Sequence, residues 1–241
     1  MKQILVIPAR MKGKRLPGKP LISILGKPML LRVWEQCKKV IDKKDIFVAT
    51  EDNIIEKFCH KSGINVINTG AAPTAIYRIG LFAKFIKAKN YIVVNGDEPL
   101  ANIKDLKKLI TYGKKSPNRV AIGEGPCSKY KYTDKTKAKV IVSKSGNVLY
   151  TSRLSLPYSG KNYTNYAKSA IWYYSFNKKE LDHYIKNYNY VKTDKLEGLE
   201  INGMIECDIK VYAIKMIGDS WAVDTKKDVR IVEKILKKKN F

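Results

Sequence analysis

Histidine and cysteine, the usual carriers of nucleophilic and zinc chemistry, are scarce in this chain. Two histidines, His60 and His183, and four cysteines, Cys37, Cys59, Cys127 and Cys207, occur in 241 residues. The cysteines are far apart and form no Cys-x-x-Cys pair, which argues against a zinc site and a disulfide framework and leaves four reduced, packed thiols. Long apolar runs are missing too. Nothing approaches the roughly 18 to 20 residues of a membrane span, and the charged N-terminus passes into "QILVIPA" with no cleavable apolar segment. A cytoplasmic protein is the expectation. Acidic residues are few, 22 against 47 basic ones, for a net charge of +25. Arginine is rarer still: seven of the 47 (Arg10, Arg15, Arg32, Arg78, Arg119, Arg153, Arg230), leaving 40 lysines.

Those lysines are spread along the chain, many on helix faces such as "KKLITYGKK" and "EKILKKKNF". Solvated surface explains most of them, and a diffuse attraction for anionic substrates explains the rest. A nucleic-acid-binding protein is the rival reading, although nucleic acid is not the expected partner. In a chain that uses lysine by default, an arginine marks a place where a planar, bidentate donor for phosphate or carboxylate is needed.

What is present is the material of one α/β domain, with 44% hydrophobic residues. Strand-like "QILVI", "IFVAT", "INVIN", "YIVVN" and "RVAIG" alternate with helical "PMLLRVWEQCKKV", "EDNIIEKFCHKSG", "AIYRIGLFAKFIKA" and "IKDLKKLITYGKK". That alternation predicts βαβ units and a mostly parallel central sheet flanked by helices. From about Pro126 the pattern changes to tyrosine-rich strands, "AKVIVS", "NVLYTS" and "SAIWYYS", which predict a smaller antiparallel lobe. Helical "KKELDHYIKN" and "KLEGLEINGM", strand "DIKVYAI" and helix "KKDVRIVEKILKK" complete the chain. The predicted division is a core of about 1–125 and 205–241 with a lobe of about 126–204. Trp34, Trp172 and the tyrosines of "IWYYS" are expected to pack in the core or in that lobe.

Ligands of open parallel sheets sit at the carboxyl ends of the strands. After the first strand comes "IPARMKGKRLPGKPL", which falls one residue short of the phosphate-binding pattern G-x-x-x-x-G-K-[ST]. Pro20 stands where the hydroxyl should be and cannot hold Mg²⁺. A true P-loop, a basic surface loop and a different triphosphate loop are the alternatives. In the last, Gly13 and Gly18 let backbone approach an oxyanion while Arg10, Lys14, Arg15 and Lys19 neutralise it. After "YIVVN" comes Gly96-Asp97-Glu98-Pro99, a carboxylate at a strand end suited to Mg²⁺, or a plain turn. In "AVDTKKDV", Asp224 is either a second such carboxylate or a helix N-cap.

Taken together, "IPARMKGKRLPGKPL", "VNGDEPL" and "AVDTKKDV", with "TSRLSLPYS", "SAIWYYSFNKKEL" and "KLEGLE" between them, resemble the CMP-sugar synthetase family. Within it they are most similar to the cytidylyltransferases that activate 3-deoxy-manno-octulosonate (Kdo). The resemblance implies a GT-A-like nucleotidyltransferase fold, a homodimer built through the smaller lobe, and Mg²⁺-dependent transfer of CMP from CTP to a sugar acid. Carried over to this chain, Pro8, Ala9, Arg10, Gly13, Arg15, Lys19, Thr74, Arg78 and Asp97 contact the nucleotide, with Arg10, Arg15, Lys19 and Asp97 catalytic. Asp97 and Asp224 hold the metal, and Asn95, Arg153, Lys168 and Glu197 face the acceptor. The chain also departs from the family pattern. Gly13 replaces a usual Ser, Tyr77 removes the acid before Arg78, and Asn95, Lys168 and Gly198 replace a Gln, a His and a Gln. The triphosphate grip is kept while the acceptor pocket is rewritten, so an anionic acceptor other than ordinary Kdo is expected.

Overall fold

The computed structural model describes residues 2–13, 15–160, 162–218 and 221–238. Lys14, one of the basic residues of the opening loop, lies outside them. The strands are β1 (Gln3–Pro8), β2 (Ser23–Ile24), β3 (Lys27–Pro28), β4 (Ile46–Thr50), β5 (Asn65–Asn68), β6 (Asn90–Val94), β7 (Val120–Pro126), β8 (Lys139–Val142), β9 (Val148–Ser152), β10 (Lys168–Phe176) and β11 (Val211–Lys215). The helices are α1 (Met29–Lys38), α2 (Asn53–Lys61), α3 (Ala75–Phe85), α4 (Ile103–Lys115), α5 (Lys129–Thr133), α6 (Lys178–Asn187), α7 (Thr193–Glu197), α8 (Glu200–Glu206) and α9 (Lys226–Lys238). Among the described residues no helix is long and apolar enough to cross a membrane.

The main sheet runs β11-β7-β10-β6-β1-β4-β5. Strands β6, β1, β4 and β5 are parallel, as are β7 and β11, and β10 runs antiparallel between β6 and β7. The mostly apolar sequences of β1 and β6, each opening on one buried polar residue (Gln3, Asn90), follow from burial on both faces. One apolar cluster packs α3, α6 and α8 on one face, centred on Ile79, Phe82, Leu181 and Met204. A second packs α1, α2 and α4 on the other, centred on Val33, Cys37, Ile55 and Leu109. All four cysteines are buried and free, as expected.

The chain leaves β1 for β4 on one side and reaches β6 on the other, so a crevice opens where the carboxyl ends of these strands diverge. Two elements differ from the sequence pattern. "KLEGLEINGM" reads as one helix but forms α7 and α8, because Gly198 turns left-handed (φ 64°) and its N–H caps the Asp194 carbonyl at 2.7 Å. Of the tyrosine-rich segment after Pro126, β8 and β9 pair outward from β10, but β10 itself is a strand of the central sheet.

Candidate active site

The loop after β1 is folded around one carbonyl. The N–H groups of Gly13 and Gly18 both donate to the Met11 oxygen, at 2.9 and 3.0 Å, while Asp52 takes the Met11 N–H at 2.7 Å. Leu16 is buried in a third apolar cluster with Ile24, Met29 and α9. The turn is so close at Gly13 that a Cβ there would lie 2.7 Å from the Leu16 carbonyl oxygen. Gly18 is left-handed (φ 71°), and buried Pro20 sits in the first turn of a short 3₁₀ segment, where a missing N–H costs nothing. This path aims Arg15 and Lys19 across the crevice.

Two carboxylates meet them there. Gly96 approaches Pro8 so closely that a Cβ would lie 2.9 Å from its carbonyl oxygen, which brings the turn bearing Asp97 against β1. Asp224 arrives from the far end of the chain, and the Val223 N–H donates to the Asp97 carbonyl at 2.9 Å. The N-cap alternative for Asp224 is corrected by the structure. Asp228 Oδ2 accepts from the Thr225 N–H and hydroxyl at 2.8 and 2.7 Å, and the Asp228 N–H returns to the Thr225 hydroxyl at 3.3 Å. That reciprocal box caps α9 and leaves the Asp224 carboxylate to the crevice. Lys19 Nζ lies 2.6 Å from Asp97 Oδ2 and 3.1 Å from Asp224 Oδ1, and Arg15 Nη2 lies 3.0 Å from that same Asp224 oxygen. Burial pulls the Lys19 ammonium down, yet the Asp97 and Asp224 charges outweigh it and hold its pKa above the ordinary value.

These groups stand in one wall of a cleft of ≈ 1100 Å³ that also takes in Pro8, Ala9, Arg10, Gly13, Thr74, Arg78 and Asn95. Thr74 caps α3, accepting from the Tyr77 N–H at 3.2 Å. Arg78 is 2% exposed, forms an ion pair with Glu51 at 3.1 Å and donates to the Thr69 hydroxyl at 2.9 Å and the Gly70 carbonyl at 3.1 Å. The acid missing at position 77 is thus supplied from the end of β4 by Glu51, while Tyr77 packs edge-on against Tyr188. Glu200, which the sequence did not single out, enters the same wall and accepts from the Ala75 and Ile76 N–H groups at the start of α3. Burial raises its pKa, against the opposing pull of those two hydrogen bonds.

Of the four residues expected at the acceptor, Asn95 and Arg153 line the cleft; Lys168 and Glu197 do not. Glu197 is a brace: its carboxylate accepts from the Ser152 hydroxyl at 2.7 Å and the Arg153 N–H at 3.3 Å, and its carbonyl accepts from Arg153 Nε at 3.1 Å. Buried Lys139 is a second brace. Its ammonium donates to the carbonyls of Asp134, Lys137 and Arg153, which fixes two stretches of the cleft rim, and burial lowers its pKa. The structure adds Tyr130, Lys131, Lys137, Trp172 and Trp221 to the lining. Lys137 Nζ lies 5.0 Å from the Trp221 ring, and Trp172, half-buried and packed against the first apolar cluster, stacks on Tyr174 at 6.2 Å. Trp34 is buried as expected. The signal for Trp221 was its place three residues before Asp224; nothing local marked Lys131 or Lys137 among 40 lysines.

Among the described residues no group of three or more His, Cys, Asp or Glu side chains forms a metal cage. Asp97 and Asp224, bridged by the Lys19 ammonium, are a carboxylate pair of the kind that could hold a divalent cation if phosphate oxygens and water supplied the remaining ligands.

A cytidylyltransferase family profile matches residues 4–216. The chain is 31% identical, over its whole length and 92% of the relative's, to a 3-deoxy-manno-octulosonate cytidylyltransferase of Koribacter versatilis. It is 29% identical to an 8-amino-3,8-dideoxy-manno-octulosonate cytidylyltransferase of Shewanella halifaxensis, over 97% of this chain and 98% of that one. Among solved structures it superposes on CMP:2-keto-3-deoxy-manno-octonic acid synthetase complexed with CTP, with a TM-score of 0.87 and 26% identity, covering 99% of this chain and 100% of that one.

Proposed function

The chain belongs to the cytidylyltransferase family, and we propose that it transfers the cytidylyl group of CTP to a hydroxyl of a sugar acid of the Kdo type, through the cleft just described. The observation that carries this reading is the meeting of Lys19 and Arg15 with Asp97 and Asp224, drawn from three distant parts of the chain to the mouth of one crevice. The acceptor oxygen forms a bond to the α-phosphorus, the bond from that phosphorus to the bridging oxygen breaks, pyrophosphate leaves, and the hydroxyl proton passes to solvent. Arg10, Arg15 and Lys19 take the triphosphate charge, with Pro8, Ala9 and Gly13 as backbone walls. Thr74 and Arg78 shape the end of the cleft that receives the nucleoside. Asp97 and Asp224 would hold Mg²⁺, which supplies charge neutralisation at the phosphates and a more acidic acceptor hydroxyl.

The acceptor end is lined by Asn95, Arg153, Lys131 and Lys137, which suits an acid, and by Trp172 and Trp221, which suit a sugar face. Lys168 stays outside and Glu197 acts through Arg153. This changed set supports an acceptor that differs from ordinary Kdo in its substituents. The lobe of about 126–204 exposes Leu149 and Leu154, each more than half accessible, and is the proposed homodimer surface. A cytoplasmic location is part of the same proposal.

The test is pyrophosphate release with each of four nucleoside triphosphates against a panel of ulosonic, nonulosonic and other acids. CTP with one sugar acid should stand out, and equal turnover of ordinary Kdo would remove the altered-acceptor idea. Asp97→Asn should abolish release while leaving the circular dichroism spectrum unchanged; retained activity takes Asp97 out of the site.

A further inference from the structure

The second carboxylate of the site, Asp224, sits 127 residues beyond the first in the sequence, and one continuous segment grips the loop that delivers it. Segment 95–105 supplies Asp97 and then turns into α4. The Asp97 carbonyl accepts the Val223 N–H, one residue before Asp224. Eight residues on, Asp105 faces the start of the same loop: its Oδ1 accepts the Ile217 N–H at 2.8 Å and its Oδ2 accepts the Gly218 N–H at 3.0 Å. Asp105 is 2% exposed, and among the described residues it has no cationic partner. Its carboxylate is met by the two loop N–H groups, while its own backbone N–H donates to the Asn102 side-chain oxygen at 3.1 Å. The Gly218 carbonyl is in turn held by Lys131 of the cleft wall at 3.2 Å. A buried carboxylate that spends both oxygens on two consecutive backbone N–H groups fixes the position and direction of the chain there.

We infer that Asp105 is a positioning residue: through Ile217 and Gly218 it sets the approach of Asp224 to Asp97, and so the spacing of the metal-binding pair, without touching substrate. This rests on the reading of Asp97 and Asp224 as the divalent-cation ligands. Outer partners that orient metal ligands change affinity by about 10- to 100-fold when removed.

The experiment measures Mn²⁺ binding to nucleotide-free protein from the electron paramagnetic resonance signal of free Mn²⁺. Asp105→Ala should weaken binding about 10-fold, and Asp105→Asn, which keeps one acceptor oxygen, should fall between it and the parent. Tyr91→Phe removes another buried hydrogen bond, from the Tyr91 hydroxyl to the Ile86 carbonyl at the opposite end of β6, and serves as the stability control. It should lower the melting temperature and leave Mn²⁺ affinity unchanged. If Asp105→Ala does not fold, Asp105→Asn alone decides. Affinities of the Asp105 variants equal to the parent's, or an equal loss in Tyr91→Phe, would overturn the positioning role while leaving the metal pair intact. A parent protein with no saturable Mn²⁺ binding would overturn both.

Discussion

Gly13 shows how much a single residue can mislead when only its neighbours in sequence are visible. In the sequence it completes half of a phosphate-loop pattern and removes a hydroxyl that related proteins carry. In the structure it is held by the Leu16 carbonyl, which a Cβ would meet at 2.7 Å. Gly13→Ser therefore should not restore a phosphate contact. It should push the loop off its path at a cost of roughly 1 to 3 kcal/mol, seen as a lower melting temperature and a raised KM for CTP. A Ser variant with a lower KM would contradict that. Asp97 and Lys19 were legible because a strand end and a basic loop are local patterns. The partner of Arg78 was not, since Glu51 lies 27 residues earlier and meets it only after β4 and β5 pair.

At the scale of elements, amphipathic periodicity located several helices: α4 and α6 begin and end where their patterns do, and α9 begins where its pattern does. The place of β10 in the sheet was not legible, because its partners β6 and β7 precede it by a long stretch and alternation says nothing of who pairs with whom. Helix α3 depends on an acid from outside itself, Glu200 of α8. Its raised pKa means that the native state binds the proton more tightly than the unfolded chain. The stability it contributes is complete below the ordinary glutamate value of 4.5 and is lost as pH rises through the native pKa. Glu200→Gln cannot ionise, so its stability relative to the parent should increase as pH rises from 4.5 through the native pKa in urea unfolding. Parallel pH profiles for the two proteins would rule out this role of ionisation.

For the whole molecule, the charge of +25 gave little guidance, since the basic residues that line the cleft are a small share of the 47 in the chain. The third apolar cluster matters more. Leu16 of the triphosphate loop, Ile24 of the β2-β3 hairpin, Val223, Val232 and Leu236 pack together, and Glu233 of α9 accepts the Leu25 N–H at 3.2 Å. This small core is apart from the two that flank the sheet. Val232→Ala, at a cost of roughly 2 kcal/mol, should make thermal inactivation precede the loss of far-ultraviolet dichroism. Coincident transitions would mean that α9 melts with the sheet.

The same arrangement has a bearing on biosynthesis. Lys19 leaves the ribosome 78 residues before Asp97 and 205 residues before Asp224. A nascent chain can pair its central strands well before then, but its triphosphate loop has neither Asp224 nor the α9 surface on which Leu16 packs. On the proposed reading, the grip on the nucleotide therefore waits for Asp224, which is made long after the loop it braces, and is complete only when α9 has docked on Leu16.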